Sequence, residues 1–535
     1  MTARGGAEGT MRNPKWIRSA ARLAVALLTG SLVLAQLQAP PGSPKTWTLR
    51  DCITSALANN LDLSIEALNP DLGDAEIAAT KEKYLPQFNL SYYKYDQTQP
   101  SSWGVEGTAI QTRYDNYSLT LSEQIVTGTR ASLSFSNGMT NTSRSFTVVN
   151  PAYNSSFQFT LTQSLLKGFG PKVNRIPTVQ AENRRDISVA SLKSAILQTV
   201  YGVEEAYWSL VSALENRKVQ ENSLAQSQAL LEKNREAVRI GSKSALEILN
   251  SEAEVAQYED ALVSARLNVE QTEARLKHLL NMPAGSAAEA GGIVPEDLPA
   301  VEKRAVAAEE ALRTALAERP EMIQSGLEIA NYDQSIAAYR NELLPQLDLT
   351  LSAWSPGQSG ILSLYDNGNP LTGNLIGKIE GSRGEALKQA LRMTYKNWSL
   401  RLDLTLPTAN LFSRSSLTIA KMNRDQAELR LERQKQTIAY EIADAIKSLA
   451  NAERKIESSR AARELQEKRV AAETQRVQLG LVGSEWLLSY QRQLTSARTS
   501  EISALVNYKI AVAKLEKAMG TTIKSMGLKF RDHVF

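Results

Sequence analysis

The chain repeats itself, and the repeat limits what it can fold into. Ala56-Leu57-Ala58 recurs as Ala315-Leu316-Ala317, Asp74 with Ile77-Ala78-Ala79 as Asp333 with Ile336-Ala337-Ala338, and Leu85-Pro86-Gln87 as Leu344-Pro345-Gln346, all at an offset of 259. Further on, Tyr201 pairs with Tyr440, Ser209-Leu210 with Ser448-Leu449, Gly241 with Gly480, Leu249 with Leu488 and Leu276 with Leu515, all at an offset of 239. Chance matches would scatter. Two constant offsets in colinear order mark a duplicated unit whose first copy carries 20 extra residues between Leu85 and Tyr201.

Each copy reads in the same order: a helix, an aromatic-rich β segment, then two long helices joined by a tight turn. Ile196, Val200, Val203, Tyr207, Leu210 and Leu214 alternate in steps of four and three, the period of a helix with one apolar stripe. Val255, Leu262, Val269 and Leu276 then repeat every seven residues, which predicts a coiled coil. From about Arg175 to Ile240 the only proline is Pro177. At 1.5 Å per residue that helix approaches ~100 Å, too long for an ordinary compact domain.

The β segments have a different composition. Of 33 aromatic residues, 14 lie between Tyr84 and Phe169. Phe88/Leu90/Tyr92, Tyr117/Leu119/Leu121, Leu133/Phe135 and Phe157/Phe159/Leu161 alternate with Ser, Thr, Asn and Gln. One apolar and one polar face per strand suits a barrel with lipid outside and water inside, although a soluble β-sandwich shows the same alternation. Aromatic enrichment also suits the lipid interface.

Arg12, Lys15, Arg18 and Arg22 precede an apolar run from Leu23 to Ala35, the pattern of a secretory signal peptide cleaved after Ala35; Met11 offers a second start. Its removal takes five basic residues and one acidic, so a formal charge of +4 falls to 0. Such a balance does not point to nucleic acid. No later run reaches the roughly 18 apolar residues of a spanning helix, so a membrane crossing requires a β-barrel. Cys52, the only cysteine, forms no internal disulfide and lies too far from the cleavage point for a lipid anchor; it reads as a small buried apolar residue.

Several segments resemble the TolC-like outer-membrane efflux proteins: the opening TLRDCITSALANNLDL, the strand start YLPQFNLSYY with its repeat LLPQLDLTLS, LTQSLLKGFG and DLTLPTANLF closing the two β segments, and the turns RIGSKSALEIL and QLGLVGSEWLL. The resemblance runs from about Thr48 to Gly520. It implies an all-α plus membrane-β protomer whose homotrimer closes a β-barrel in the outer membrane of a Gram-negative bacterium and an α-helical barrel in the periplasm. It further implies a periplasmic adaptor and an inner-membrane transporter as partners, contact with outer-membrane lipid, and no cofactor. The expected organisation is a signal peptide at 1–35, a first repeat at 48–282 (strands about 86–166, hairpin about 175–281), a linker at 283–306, a second repeat at 307–520 (strands about 346–406, hairpin about 415–519) and a tail at 521–535.

The family pattern has two strands per repeat, hence twelve per trimer. Four candidate strands appear in the first copy, at about 86–96, 114–126, 130–140 and 155–166. The 20 extra residues would suit two more spanning strands and an eighteen-stranded barrel. The preferred expectation is twelve spanning strands with the extra hairpin on the external rim.

At the hairpin tips, Gly241 and Gly480 permit the reversal. They read as simple turns or, with Ser242, Leu481 and Gly483, as points where the family's tips meet the adaptor. Members of the family carry an acid six residues after that glycine, facing the lumen. The position is Glu247 in the first copy, followed by Asn250; in the second it is Trp486, followed by Ser489 and preceded by Glu485. Three copies of Glu247 in a narrow ring would attract cations, whereas a lone glutamate on a helix is ordinarily a solvated face. Trp486 would supply instead an apolar constriction or an adaptor contact.

His278 and His533 are the only histidines, which leaves histidine triads and metal sites unsupported. Gly373 to Ile379 resembles a phosphate loop, but its spacing is short and Ile379 replaces the hydroxyl residue, so an external loop is expected. The competing readings are a periplasmic coiled-coil adaptor or scaffold, which should lack aromatic strands, and a secreted enzyme, which should show a convergent catalytic cluster.

Overall fold

A computed structural model describes residues 45–527 except 102–103, 105–106, 146, 283–291, 303–305, 408 and 480. The signal-peptide segment, His533 and most of the tail lie outside these residues. The chain divides into two compact units, one built from residues up to 60 with 200–303 and 452–510, the other from 61–199, 304–451 and 511–535.

The first unit is mostly helical. A short strand β1 (Lys45–Trp47) pairs in parallel with β6 (Ile293–Pro295), which falls in the expected linker. Helix α1 (Leu49–Asn59) starts at Thr48, whose hydroxyl accepts the Asp51 N–H while Asp51 returns a bond to the Thr48 N–H, a reciprocal capping box. Its inner face buries Cys52, Ile53 and Ala56. Tyr207 is wholly buried, and its hydroxyl donates to Asp297 Oδ2 at 2.9 Å, which also accepts the Leu49 N–H at 2.7 Å.

Two hairpins supply the long helices. The first is α5 (Ile176–Arg239), entered through the single turn α4 (Pro171–Asn174), with α6 (Leu246–Leu279), the second α10 (Leu411–Gln478) with α11 (Ser484–Met519). Val200, Val203, Tyr207 and Leu210 are buried, as the helical period predicts. On α6 the buried stripe is Ser251, Glu254, Tyr258, Leu262, Ala265, Val269 and Leu276. It follows the expected seam at Leu262, Val269 and Leu276, but beside the tip it departs: Val255 is only half-buried and the carboxylate Glu254 takes the core position.

In the second unit, α2 (Leu61–Glu66) and α3 (Asn69–Glu82) occupy the place that the single helix α8 (Pro320–Glu342) holds in the second copy. Pro70 explains the break, since proline is tolerated only in the first turn of a helix. Helix α7 (Ala308–Glu318) precedes α8. No described helix is long and apolar enough to cross a membrane.

The sheet holds β2 (Gln87–Pro100), β3 (Ala109–Gln124), β4 (Thr129–Thr142), β5 (Val149–Ser164) and β7 (Gln346–Tyr365) in that order, all antiparallel. The outer edge of β7 is shared by β9 (Asn397–Thr405) along Gln346–Trp354 and by β8 (Leu375–Ile379) along Leu362–Tyr365. One row of paired residues runs across six strands: Phe88, Leu121, Leu133, Phe159, Ala353 and Trp398. Paired residues share a face, so this row is apolar, and the neighbouring row Gln87, Ser122, Ser132, Thr160, Ser352 and Ser399 is wholly polar on the opposite face.

β3 and β4 are ladder-paired with β2 and β5 along nearly their whole length and share the apolar row; β9 reaches outward only to Asn397, so the outer parts of β3 and β4 extend past it. The first-copy strands also reach further outward than expected, to the Pro100↔Ala109 pair; beyond the stacked Tyr95 and Tyr114, Asp96 accepts bonds from Gln111 at 2.8 Å and Arg113 at 3.1 Å across the two strands. Within Gly373 to Ile379, expected as an external loop, Leu375–Ile379 forms β8.

Helix α9 (Arg383–Leu391) lies against the outer part of the face that carries the apolar row. Gly357 lets it settle: a Cβ there would stand 2.0 Å from the Ala386 carbonyl oxygen. Ala386 and Ala390 are fully buried over that gap. Arg383 anchors the helix by an ion pair with Asp115 and by placing its guanidinium 5.8 Å from the Tyr117 ring centre.

Candidate functional site at the hairpin tips

The first tip turns at Gly241, whose φ of +75° is the left-handed conformation that closes a helix. Open space surrounds the place where a Cβ would stand, so conformation demands the glycine and crowding does not. Ser242 completes the cap, giving its N–H and its hydroxyl to the Ala237 carbonyl at 2.9 and 2.8 Å. Lys243 then reaches back, its Nζ 2.8 Å from Asn234 Oδ1. Asn234 is 1% exposed and donates to Ser251 Oγ at 2.8 Å, and Ser251 donates to the Glu247 carbonyl at 2.9 Å. This polar ladder ties α5 to α6 behind the turn.

At the second tip Gly480 lies outside the described residues. Leu481, exposed, donates its N–H to the Arg476 carbonyl at 3.0 Å. A Cβ on Gly483 would stand 3.4 Å from Glu247 Oε1 and 3.9 Å from Glu485 Cγ, so three of the expected residues come together across the two hairpins. Trp486 is exposed, its ring 6.5 Å from that of Tyr490, over which the Arg469 guanidinium sits at 4.5 Å. Asn250 and Ser489 are half-buried. Around both turns, Ile240, Leu246, Leu249, Leu479 and Leu481 leave large apolar side chains in solvent.

The sequence reading missed the bonds that join one hairpin to the other. Arg492 on α11 donates to Glu254 on α6 at 2.6 Å, and Glu254 is 3% exposed. Ser223 meets Thr495 at 2.8 Å, and Thr499 donates to Asn216 at 3.0 Å. One signal was available: Glu254 lies seven residues after Glu247, with Ser251 between them, on one stripe of the helix.

Among the described residues no group of histidine, cysteine or acidic side chains is placed to hold a metal ion. The tips offer instead acids, a ladder of hydrogen bonds and exposed apolar residues. Among the described residues the tips thus bring together negative charge, hydrogen bonds and exposed apolar surface.

The outer membrane efflux protein family model matches residues 52–282 and 311–521. None of the curated proteins compared matches the chain in sequence. Solved structures share its fold. A membrane protein from Pseudomonas aeruginosa is similar at 18% identity and a TM-score of 0.64, covering 88% of this chain and 90% of that one. The Campylobacter jejuni CmeC outer membrane channel is similar at 16% identity and 0.64, covering 90% of each chain. The Vibrio cholerae outer membrane protein VceC follows at 14% and 0.62, covering 88% of this chain and 96% of that one. The family match takes in both copies of the duplication, and the chain therefore belongs to the outer membrane efflux protein family and is an efflux protein of the outer membrane.

Proposed function

We propose that three copies of this chain form a passive export channel, closed at the hairpin tips and supplied by a periplasmic adaptor and an inner-membrane transporter. The two-faced sheet carries this reading. Its apolar face exposes Phe88, Leu90, Leu400, Leu402 and Leu404, a cost that water would impose and lipid would not. Its other face presents hydroxyls and amides to an aqueous lumen. Among the described residues the sheet also ends in two free edges, which lipid does not tolerate, so further copies must close it.

Glu247 and Glu485 at the meeting of the tips supply negative charge where the duct would narrow, with Asn250, Trp486 and Ser489 beside them. Gly241, Ser242, Leu481 and Gly483 shape the turns, with Gly480 expected to do the same, and the exposed leucines nearby give an adaptor something apolar to cover. Energy for export comes from the partner; the duct conducts.

A photo-crosslinking residue at Leu249 or Leu481 tests the docking in cells. Adducts to a periplasmic protein at both tips, and none from Leu402 on the sheet, are expected. Absence of adducts at the tips while the protein remains assembled would remove the adaptor from this account.

A further inference from the structure

We infer that each chain contributes six spanning strands, so that the assembled barrel has eighteen strands and an exit about half again as wide as a twelve-stranded one. This rests on the export-channel reading and adds to it the size of the exit.

The row Phe88, Leu121, Leu133, Phe159, Ala353 and Trp398 crosses the sheet without a step. A strand that carries an apolar residue of this row between polar neighbours presents one face to lipid and the other to water. Five of the six do so on both sides of the row; in β7 the residue beyond Ala353 is Trp354. β2, β3, β4 and β5 are 14, 16, 14 and 16 residues long, against the ~10 a tilted spanning strand needs, and their outer parts, where the apolar face carries Lys94, Asp96, Arg113 and Asp115 and meets α9, project beyond the lipid. β9, with nine residues, is the shortest of the six and matches the usual minimum.

The free edges fit one another. β2 pairs only with β3, and β9 only with β7, among the described residues. Alternation through the sheet makes β2, β4 and β7 run one way and β3, β5 and β9 the other. β2 of one copy therefore lies antiparallel to β9 of the next, and the ring closes with the same ladder chemistry used inside each copy. The occupant of each edge is a second copy of this chain.

A barrel of this size leaves an open aqueous channel where eight strands would be filled by side chains. Its lining is hydroxyl and amide from Asn89, Ser91, Ser118, Thr120, Ser134 and Thr160, with charges of both signs, Arg130, Asp348, Arg401 and Asp403, confined to the end near the helices. Such an exit suits bulky hydrophilic cargo and selects little by charge.

The test is cysteine scanning of the full-length chain in lipid vesicles, with Cys52 replaced by alanine, at Leu119, Thr120 and Leu121 on β3 and at Ser132, Leu133 and Ser134 on β4. Labelling by a water-soluble maleimide at least tenfold faster at Thr120, Ser132 and Ser134 than at the leucines, with a native mass of three chains, is the expected result. Rates within threefold of one another in a trimer that still conducts would put the hairpin outside the membrane and overturn the eighteen strands alone. Alternating rates in a dimer would overturn them too, by giving twelve. Loss of both oligomer and conductance from the unsubstituted chain would remove the channel reading itself.

Discussion

Arg492 and Glu254 join the two hairpins through a single bond of 2.6 Å, with the carboxylate 3% exposed and the guanidinium half in water. Glu254 occupies a coil position that Leu262 and Val269 fill further along the same helix. Removing the arginine leaves a buried charge without its counter-ion, which costs more than the pair contributes.

Arg492→Ala is therefore expected to weaken the tip region by about 2 kcal/mol. Hydrogen exchange across 246–258 should speed up, with α1 unaffected. Adding Glu254→Gln should recover part of the loss, because an amide is cheaper to bury than a charge. Unchanged exchange in Arg492→Ala would show the bond to be incidental.

Gly357→Leu is expected to lift α9 from the sheet, since even a Cβ meets the Ala386 carbonyl at 2.0 Å. Limited proteolysis should then cut between 380 and 396, while the β5 and β7 ladder persists. Resistance equal to that of the unsubstituted chain would contradict the packing.

Acid should destabilise the second unit through Glu321. Burial works against its charged form, but the bond from its own N–H, the Arg319 guanidinium and the Ser194 hydroxyl outweigh it, and its pKa lies below the ordinary 4.5. A depressed carboxylate adds stability above its unfolded value, and that stability is lost as pH falls from about 4.5 through the folded value. Glu321→Gln should flatten the fall in melting temperature across that acid range. An identical slope in the variant would place the acid sensitivity elsewhere.

The Cys52 thiol is pushed up to about 12 by burial, with the charges of Asp51 and Asp297 adding to it. At pH 8 it stays protonated and covered, so alkylation of the folded chain should be at least a hundredfold slower than in denaturant. Rapid labelling of the folded protein would show that α1 opens readily.

Much of this was legible in the sequence for physical reasons. The duplication survives as matched residues, and helix and strand periods follow directly from side-chain direction along each element. Glu254 was legible only as one acid on the stripe it shares with Glu247 and Ser251; its burial depends on a partner 238 residues away. Nor was α9: its contact needs Gly357, nearly thirty residues earlier, and two alanines that carry no pattern of their own. The register of the extra hairpin was hidden because Leu133 finds Phe159 only in the folded sheet. The turn at Gly241 was legible because a reversal between long helices needs glycine.

Conductance of the purified chain in planar bilayers, recorded with its detergent-solubilised mass, tests the central claim most directly. The account predicts a trimer with a small, cation-selective conductance that rises on Glu247→Ala as the acidic closure at the tips is weakened. A monomer that never conducts and leaves the membrane fraction with salt would contradict it.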